Sequence, residues 1–123
     1  SLHVPLTGVT RNLITTNEIE RMRPGALLVN TARGGIVNEQ DLFEALQAGH
    51  LGGAAIDVFG EEPYNGNLVN LEQCLLTAHM GSMSVDCRAR MELEATEEAI
   101  RLISGDSLQS MVPVAEYDNQ QLI

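Results

Sequence analysis

Three short apolar runs limit what this chain can become: ALLVNTA (26–32), GGAAIDVF (52–59) and CLLTA (74–78). They have the length of strands, and their lack of polar alternation is the pattern of strands buried on both faces. Amphipathic segments separate them. In TTNEIERMRPG, Thr15 and Glu18 have the spacing of a capping box, and Pro24–Gly25 end the helix. In the next segment Asn38 caps a helix with Asp41 three residues on, Leu42 and Leu46 share one face, and Gly49 stops it. GEEPYNGN, after the second run, is turn chemistry. From Ser84 to Ser104 runs the longest helical pattern, with Ala89, Leu93, Ile100 and Ile103 along one side and Gly105 as its cap. LHVPL (2–6) reads as a short strand end, and the tail 106–123 shows no period. The order β-α-β-α-β-loop-β-α plus tail predicts an α/β fold, a parallel sheet joined by right-handed crossovers and covered by helices.

With 123 residues the chain is one domain or a piece of a larger one, and without tryptophan its core must be aliphatic. Seven basic residues stand against seventeen acidic ones, a formal charge of -10. That balance argues against nucleic acid or an anionic membrane surface as partner. No apolar run approaches the roughly 18 residues of a membrane span, so a soluble, cytoplasmic protein is expected. Cys74 and Cys87 have no metal-ligand spacing and read as reduced core residues; no metal site is expected.

In a parallel sheet, ligands gather outside the carboxyl ends of the strands. There ALLVNTA delivers Arg33, AAIDVF delivers Glu61 and Glu62, and CLLTA delivers His79. A guanidinium can clamp a carboxylate with two parallel bonds. An imidazole exchanges a proton near neutral pH, and a carboxylate beside it fixes its orientation. Together they suit oxidation of a 2-hydroxy acid, with a cofactor receiving the hydride. Each has a plainer reading: a solvated loop arginine, a polar loop of glutamates, a histidine satisfied in a core or cap. Asp57 interrupts a buried run, where a carboxylate is costly unless hydrogen-bonded. It is either a structural acceptor of backbone N–H groups or an acceptor for an amide such as a cofactor carboxamide. His3 and His50 are expected to be structural.

The stretches LHVPLTGVTRNLI, MRPGALLVNTARGGIVNEQDLFEALQAGHLGGAAIDVFGEEP and LLTAHMGSMS closely resemble the D-isomer-specific 2-hydroxyacid dehydrogenases, nearest their D-3-phosphoglycerate dehydrogenase branch. The resemblance runs from Leu2 to about Gly105. It implies a partial Rossmann-type doubly wound sheet, the second half of a dinucleotide-binding domain over 1–105, with 106–123 leading back to a substrate domain. It implies NAD as cofactor, NADP remaining open, and a small 2-hydroxy or 2-oxo acid as substrate. Arg33 matches the residue that grips the substrate carboxylate, Glu62 (not Glu61) the partner of the catalytic histidine, and His79 the general acid/base. Val4, Pro5, Thr31, Ala32, Arg33, Asp57, His79, Gly81 and Ser82 match cofactor-contacting positions, Asp57 as acceptor for the nicotinamide carboxamide.

The chain departs from the family pattern in three places. Ala78 stands where a proline usually precedes the histidine, and Ser82 and Met83 stand where a second glycine and a serine are common. No G-x-G-x-x-G follows any strand, so the phosphate-cradling loop is expected upstream. The fragment is therefore expected to bind NAD weakly, to be inactive alone, and to self-associate or form a homodimer. Two other readings remain: a corepressor-like module of the same family that senses NAD, and an inert α/β scaffold.

Overall fold

The computed structural model describes residues 1–115. Three parallel strands, β1 (Ala26–Asn30), β2 (Leu51–Ile56) and β3 (Cys74–Leu76), lie side by side in that order. Helix α1 (Thr16–Glu20) precedes β1, α2 (Glu39–Gln47) crosses from β1 to β2, and α3 (Val85–Ser104) follows β3. Leu2 forms an isolated parallel bridge to Asn30, its N–H reaching the Val29 carbonyl at 3.0 Å. Of the residues expected as a strand end, Leu2 alone thus joins β1, on the side away from β2.

Local chemistry sets the ends. Glu18 Oε2 accepts from the Thr15 N–H at 3.0 Å, the back-bond of a capping box. Asn38 Oδ1 accepts from the N–H groups of Gln40 and Asp41 at 3.1 Å, and Gly49 and Gly105 take the left-handed conformation just past α2 and α3. Every strand is shorter than its apolar run. β1 stops at Asn30 because that side chain folds onto the following loop, and β2 stops at Ile56, before Asp57. α1 ends at Glu20 rather than at Pro24–Gly25, since the chain tightens there: the Met22 N–H reaches the Ile19 carbonyl at 2.9 Å. Within the loop after β2 lies a 3-10 turn, Asn67–Asn70, which the turn chemistry did not foretell.

Ile19, Leu28, Leu42, Leu46, Leu51, Ile56 and Leu68 form one buried aliphatic cluster between the helices and one face of the sheet. On the other face Val29, Ala55 and Leu75 stand in register, and Leu27 and Leu75 are 72% and 65% exposed. Both faces were expected to be covered; among the described residues one is. Helix α3 likewise buries none of its residues, so the side carrying Leu93, Ile100 and Ile103 is open to solvent. The tail doubles back on it, with Glu98 Oε2 accepting from the N–H groups of Gln109 and Ser110 at 2.9 and 3.1 Å. The rest of the expected tail, residues 116–123, lies outside the described residues. No helix among the described residues is long and apolar enough to cross a membrane.

Candidate active site

Parallel strands point their carboxyl ends the same way, so the segments after β1, β2 and β3 leave from one edge of the sheet. Arg33, Glu62 and His79 lie one on each.

The first segment is shaped by Asn30, which is buried. Its Oδ1 accepts from the Ala32 N–H at 3.1 Å and its Nδ2 donates to the Arg33 carbonyl at 3.0 Å. Two backbone groups of the loop, the Ala32 N–H and the Arg33 carbonyl, are thereby satisfied in a defined turn. The next residue has to be glycine for a steric reason: a Cβ on Gly34 would sit inside the Phe59 carbonyl. The Arg33 loop is therefore pressed onto the backbone that leads to Glu62. Arg33 itself is exposed, and its Nη1 donates to the Ala32 carbonyl at 2.7 Å. Among the described residues it pairs with no carboxylate. Val4, Pro5, Thr31, Ala32 and Arg33, all expected at the cofactor, line one depression of about 340 Å³. His3, expected to be structural, lines it too.

Glu62 and His79 meet directly, His79 Nδ1 to Glu62 Oε2 at 3.1 Å. The other carboxylate oxygen accepts from the Phe59 N–H at 3.0 Å. That backbone bond and, second, the imidazole hold the Glu62 carboxyl below the usual carboxylate range. With Nδ1 engaged, Nε2 is the nitrogen left for another molecule, and the His79 side chain is 48% exposed. Glu61 takes no part and lines a separate hollow with Glu39 and Gln40.

His79 is one of the few non-glycine residues in the left-handed region, at φ 53°. Its N–H donates to the Asp57 carbonyl at 2.8 Å. Asp57 is buried, and its Oδ1 accepts from the Thr77 hydroxyl at 2.5 Å and the Met80 N–H at 2.8 Å. The Thr77 bond holds this carboxyl below its ordinary range, burial opposes it, and the N–H groups of Met80 and Gly81 and the charge of His79 add to the lowering. Of the two readings the sequence left for Asp57, the structure displays the structural one: it is a buried acceptor of backbone N–H groups beside the histidine. Gly81 passes close to its other oxygen, Oδ2 lying 3.9 Å from where a Gly81 Cβ would be. Ser82 is half-buried in the turn before α3. His50 is tied away from the site, its Nε2 against the Ile19 carbonyl at 2.9 Å.

The structure thus joins Glu62 to His79, ties His79 to Asp57, and gathers the residue 3–5 and 31–33 segments around one depression. Arg33 connects to the pair through backbone contact at Gly34, not through its side chain. Two residues were missed, Asn30 and Thr77. Each had a signal, a hydrogen-bonding side chain inside an apolar run.

The family model for the D-isomer specific 2-hydroxyacid dehydrogenase NAD binding domain matches residues 1–81. A glyoxylate reductase from Thermococcus litoralis is 40% identical over 107 residues, 86% of this chain and 32% of that protein. A D-3-phosphoglycerate dehydrogenase from Methanocaldococcus jannaschii is 34% identical over 123 residues, 99% of this chain and 24% of that protein. The crystal structure of a glyoxylate reductase from Paecilomyes thermophila superimposes with a TM-score of 0.87 at 32% identity, over 91% of this chain and 34% of the other. The chain thus spans a third or less of the length of these curated relatives. With that match across the strand ends that carry Arg33, Glu62 and His79, the chain belongs to the D-isomer specific 2-hydroxyacid dehydrogenase family, within its NAD-binding domain.

Proposed function

We propose that this chain serves an NAD-dependent oxidoreductase that moves a hydride between nicotinamide and the CH–OH carbon of a D-2-hydroxy acid. The observation that carries the reading is the Glu62–His79 pair at 3.1 Å on the sheet edge that also presents Arg33. In this reading residues 1–105 are the second half of the dinucleotide-binding domain, and 106–123 lead back to a substrate domain.

Each residue has a role its geometry can supply. His79 Nε2 takes the hydroxyl proton in oxidation and returns it in reduction. Glu62, kept ionised by the Phe59 N–H, holds Nδ1 and stabilises the imidazolium that forms. Arg33, exposed and free of carboxylate partners among the described residues, offers its fork to the substrate carboxylate. The depression lined by Val4, Pro5, Thr31 and Ala32 lies at the carboxyl ends of the strands, where a dinucleotide is held in such sheets. At the end of the neighbouring strand, Asp57 has an oxygen with acceptor capacity for an amide N–H. These residues fit a nicotinamide, which when bound would accept or supply the hydride. The sequence carries no G-x-G-x-x-G, so the 123-residue chain alone is expected to bind NAD weakly and to turn nothing over. Its open sheet face and the exposed side of α3 favour self-association or a homodimer.

The test is an assay of the complete protein on D-3-phosphoglycerate, D-glycerate and D-lactate, and on glyoxylate in reverse, with NAD and NADP. Reduction of a nicotinamide by one of these acids, D-3-phosphoglycerate first, is the expected result. No turnover on the panel despite tight NAD binding would replace catalysis with sensing.

A further inference from the structure

The segment from Thr77 to Gly81 is wrapped around one carboxylate. Asp57 Oδ1 receives the Thr77 hydroxyl at 2.5 Å and the Met80 N–H at 2.8 Å. The Asp57 carbonyl receives the His79 N–H at 2.8 Å, and its own N–H goes to the Asn30 carbonyl at 3.0 Å. Asp57 is therefore a buried knot between the ends of all three strands, and His79 sits in its left-handed backbone between two of the knot's bonds. Backbone N–H groups gathered on an anion by a left-handed residue make a defined concavity. Here the anion is supplied from within the chain.

Among the described residues Thr77 is the one side chain that donates to this anion. Its Cα belongs to the extension of β3, its N–H reaching the Ile56 carbonyl at 3.0 Å, so the hydroxyl is anchored to the sheet and not to the loop. It holds Oδ1 in the place where the Met80 N–H can meet it. Without it the carboxylate is held only from the loop side, by the backbone N–H groups of Met80 and Gly81, and its broad terminal torsion lets it shift with the loop it should anchor. We propose that Thr77 is a positioning residue for the acid/base pair, setting through Asp57 where His79 presents Nε2. The proposal rests on the hydride-transfer reading for its effect on rate, and on the loop's geometry alone for its effect on structure.

Thr77→Val keeps the shape and removes the donor, whereas Thr77→Ser keeps the donor. Both are made in the complete protein. In Thr77→Val, kcat is expected to fall about tenfold, the size of one lost bond to a charged group. KM for the acid should stay within roughly twofold, because Arg33 is untouched. The acid limb of the kcat profile should shift, and the Met80 amide should exchange faster with solvent. Thr77→Ser should restore kcat, the acid limb and the Met80 exchange rate. Wild-type kcat and pH profile in Thr77→Val, or a Thr77→Ser protein as impaired as Thr77→Val, would overturn the proposal. If the wild-type protein turns over none of the acids, the functional reading fails, and amide exchange still decides. Fast exchange at Met80 in Val but not Ser upholds the positioning role, and equal exchange in all three proteins ends it.

Discussion

The segments after β1 and β3 reach the same sheet edge but are held in opposite manners. After β3, the working side chain is fixed at both ends: Asp57 holds the backbone of His79 and Glu62 holds its ring. After β1, the backbone alone is fixed, by Asn30 and by the contact that Gly34 permits, and the Arg33 guanidinium rests on the carbonyl of its own neighbour. The difference suits the two tasks proposed for them. A proton moves productively only between atoms in hydrogen-bond reach, so the imidazole has to be in place beforehand. A guanidinium gripping a carboxylate gains its energy when the partner arrives, and a long side chain with one weak tether can reach for it.

That contrast can be broken most directly at its rigid half. His79→Ala in the complete protein should lower kcat by ~10²–10⁴, the usual worth of a placed acid/base, with little change in KM. Steady-state kinetics check this, and a normal rate would remove His79 from the chemistry. Arg33→Ala should act on the other parameter, raising KM for the acid roughly 10–100-fold through loss of a charge-assisted contact. If kcat fell instead and KM held, Arg33 would be as preorganised as His79, and the contrast would collapse.

Gly34→Ala attacks the link between the halves. Its Cβ has no room against the Phe59 carbonyl, so the two loops must separate, at a cost of about 1–3 kcal/mol. Chemical denaturation measures the cost, and stability equal to wild type would show that the loops are not in contact. The smallest effect is that of acid. Both Asp57 and Glu62 have carboxyls held below their ordinary range. Their contribution is complete above the ordinary carboxylate values and fades as pH falls through the lowered ones. Acidification should therefore loosen residues 79–81 before residues 31–35, where among the described residues no carboxylate takes part. Amide exchange, corrected for its intrinsic pH dependence, compares the two segments, and parallel loosening would contradict the assignment.

Much of this was legible from residue order. The capping positions Thr15 and Asn38 and the stops Gly49 and Gly105 act locally, within a few residues, and a sequence displays such chemistry openly. Strand lengths were not legible, because what ends β1 and β2 is a polar side chain whose partner only the fold reveals: Asn30 turns onto its own following loop, and Asp57 onto the segment after β3. The apolar run continues past each of them while the ladder does not. The pairing of Glu62 with His79 was expected from three strand ends sharing an edge and from the family resemblance. The place of Thr77 was hidden by a partner twenty residues away in sequence. The apolar side of α3 was read correctly as a side, but periodicity says nothing of what lies opposite, and among the described residues nothing does.

The left-handed backbone of His79 bears on how its imidazole should be probed. Alanine in that conformation keeps the Cβ penalty of roughly 1–2 kcal/mol that histidine also bears, but without the ring's bond to Glu62 that helps hold the turn, whereas asparagine and glycine largely escape the penalty. An alanine replacement therefore removes the ring and also tempts the turn to reshape itself, mixing two defects in one rate. Asparagine is the cleaner comparator, and the gap between the two variants would separate the worth of the ring from that of the bend that carries it.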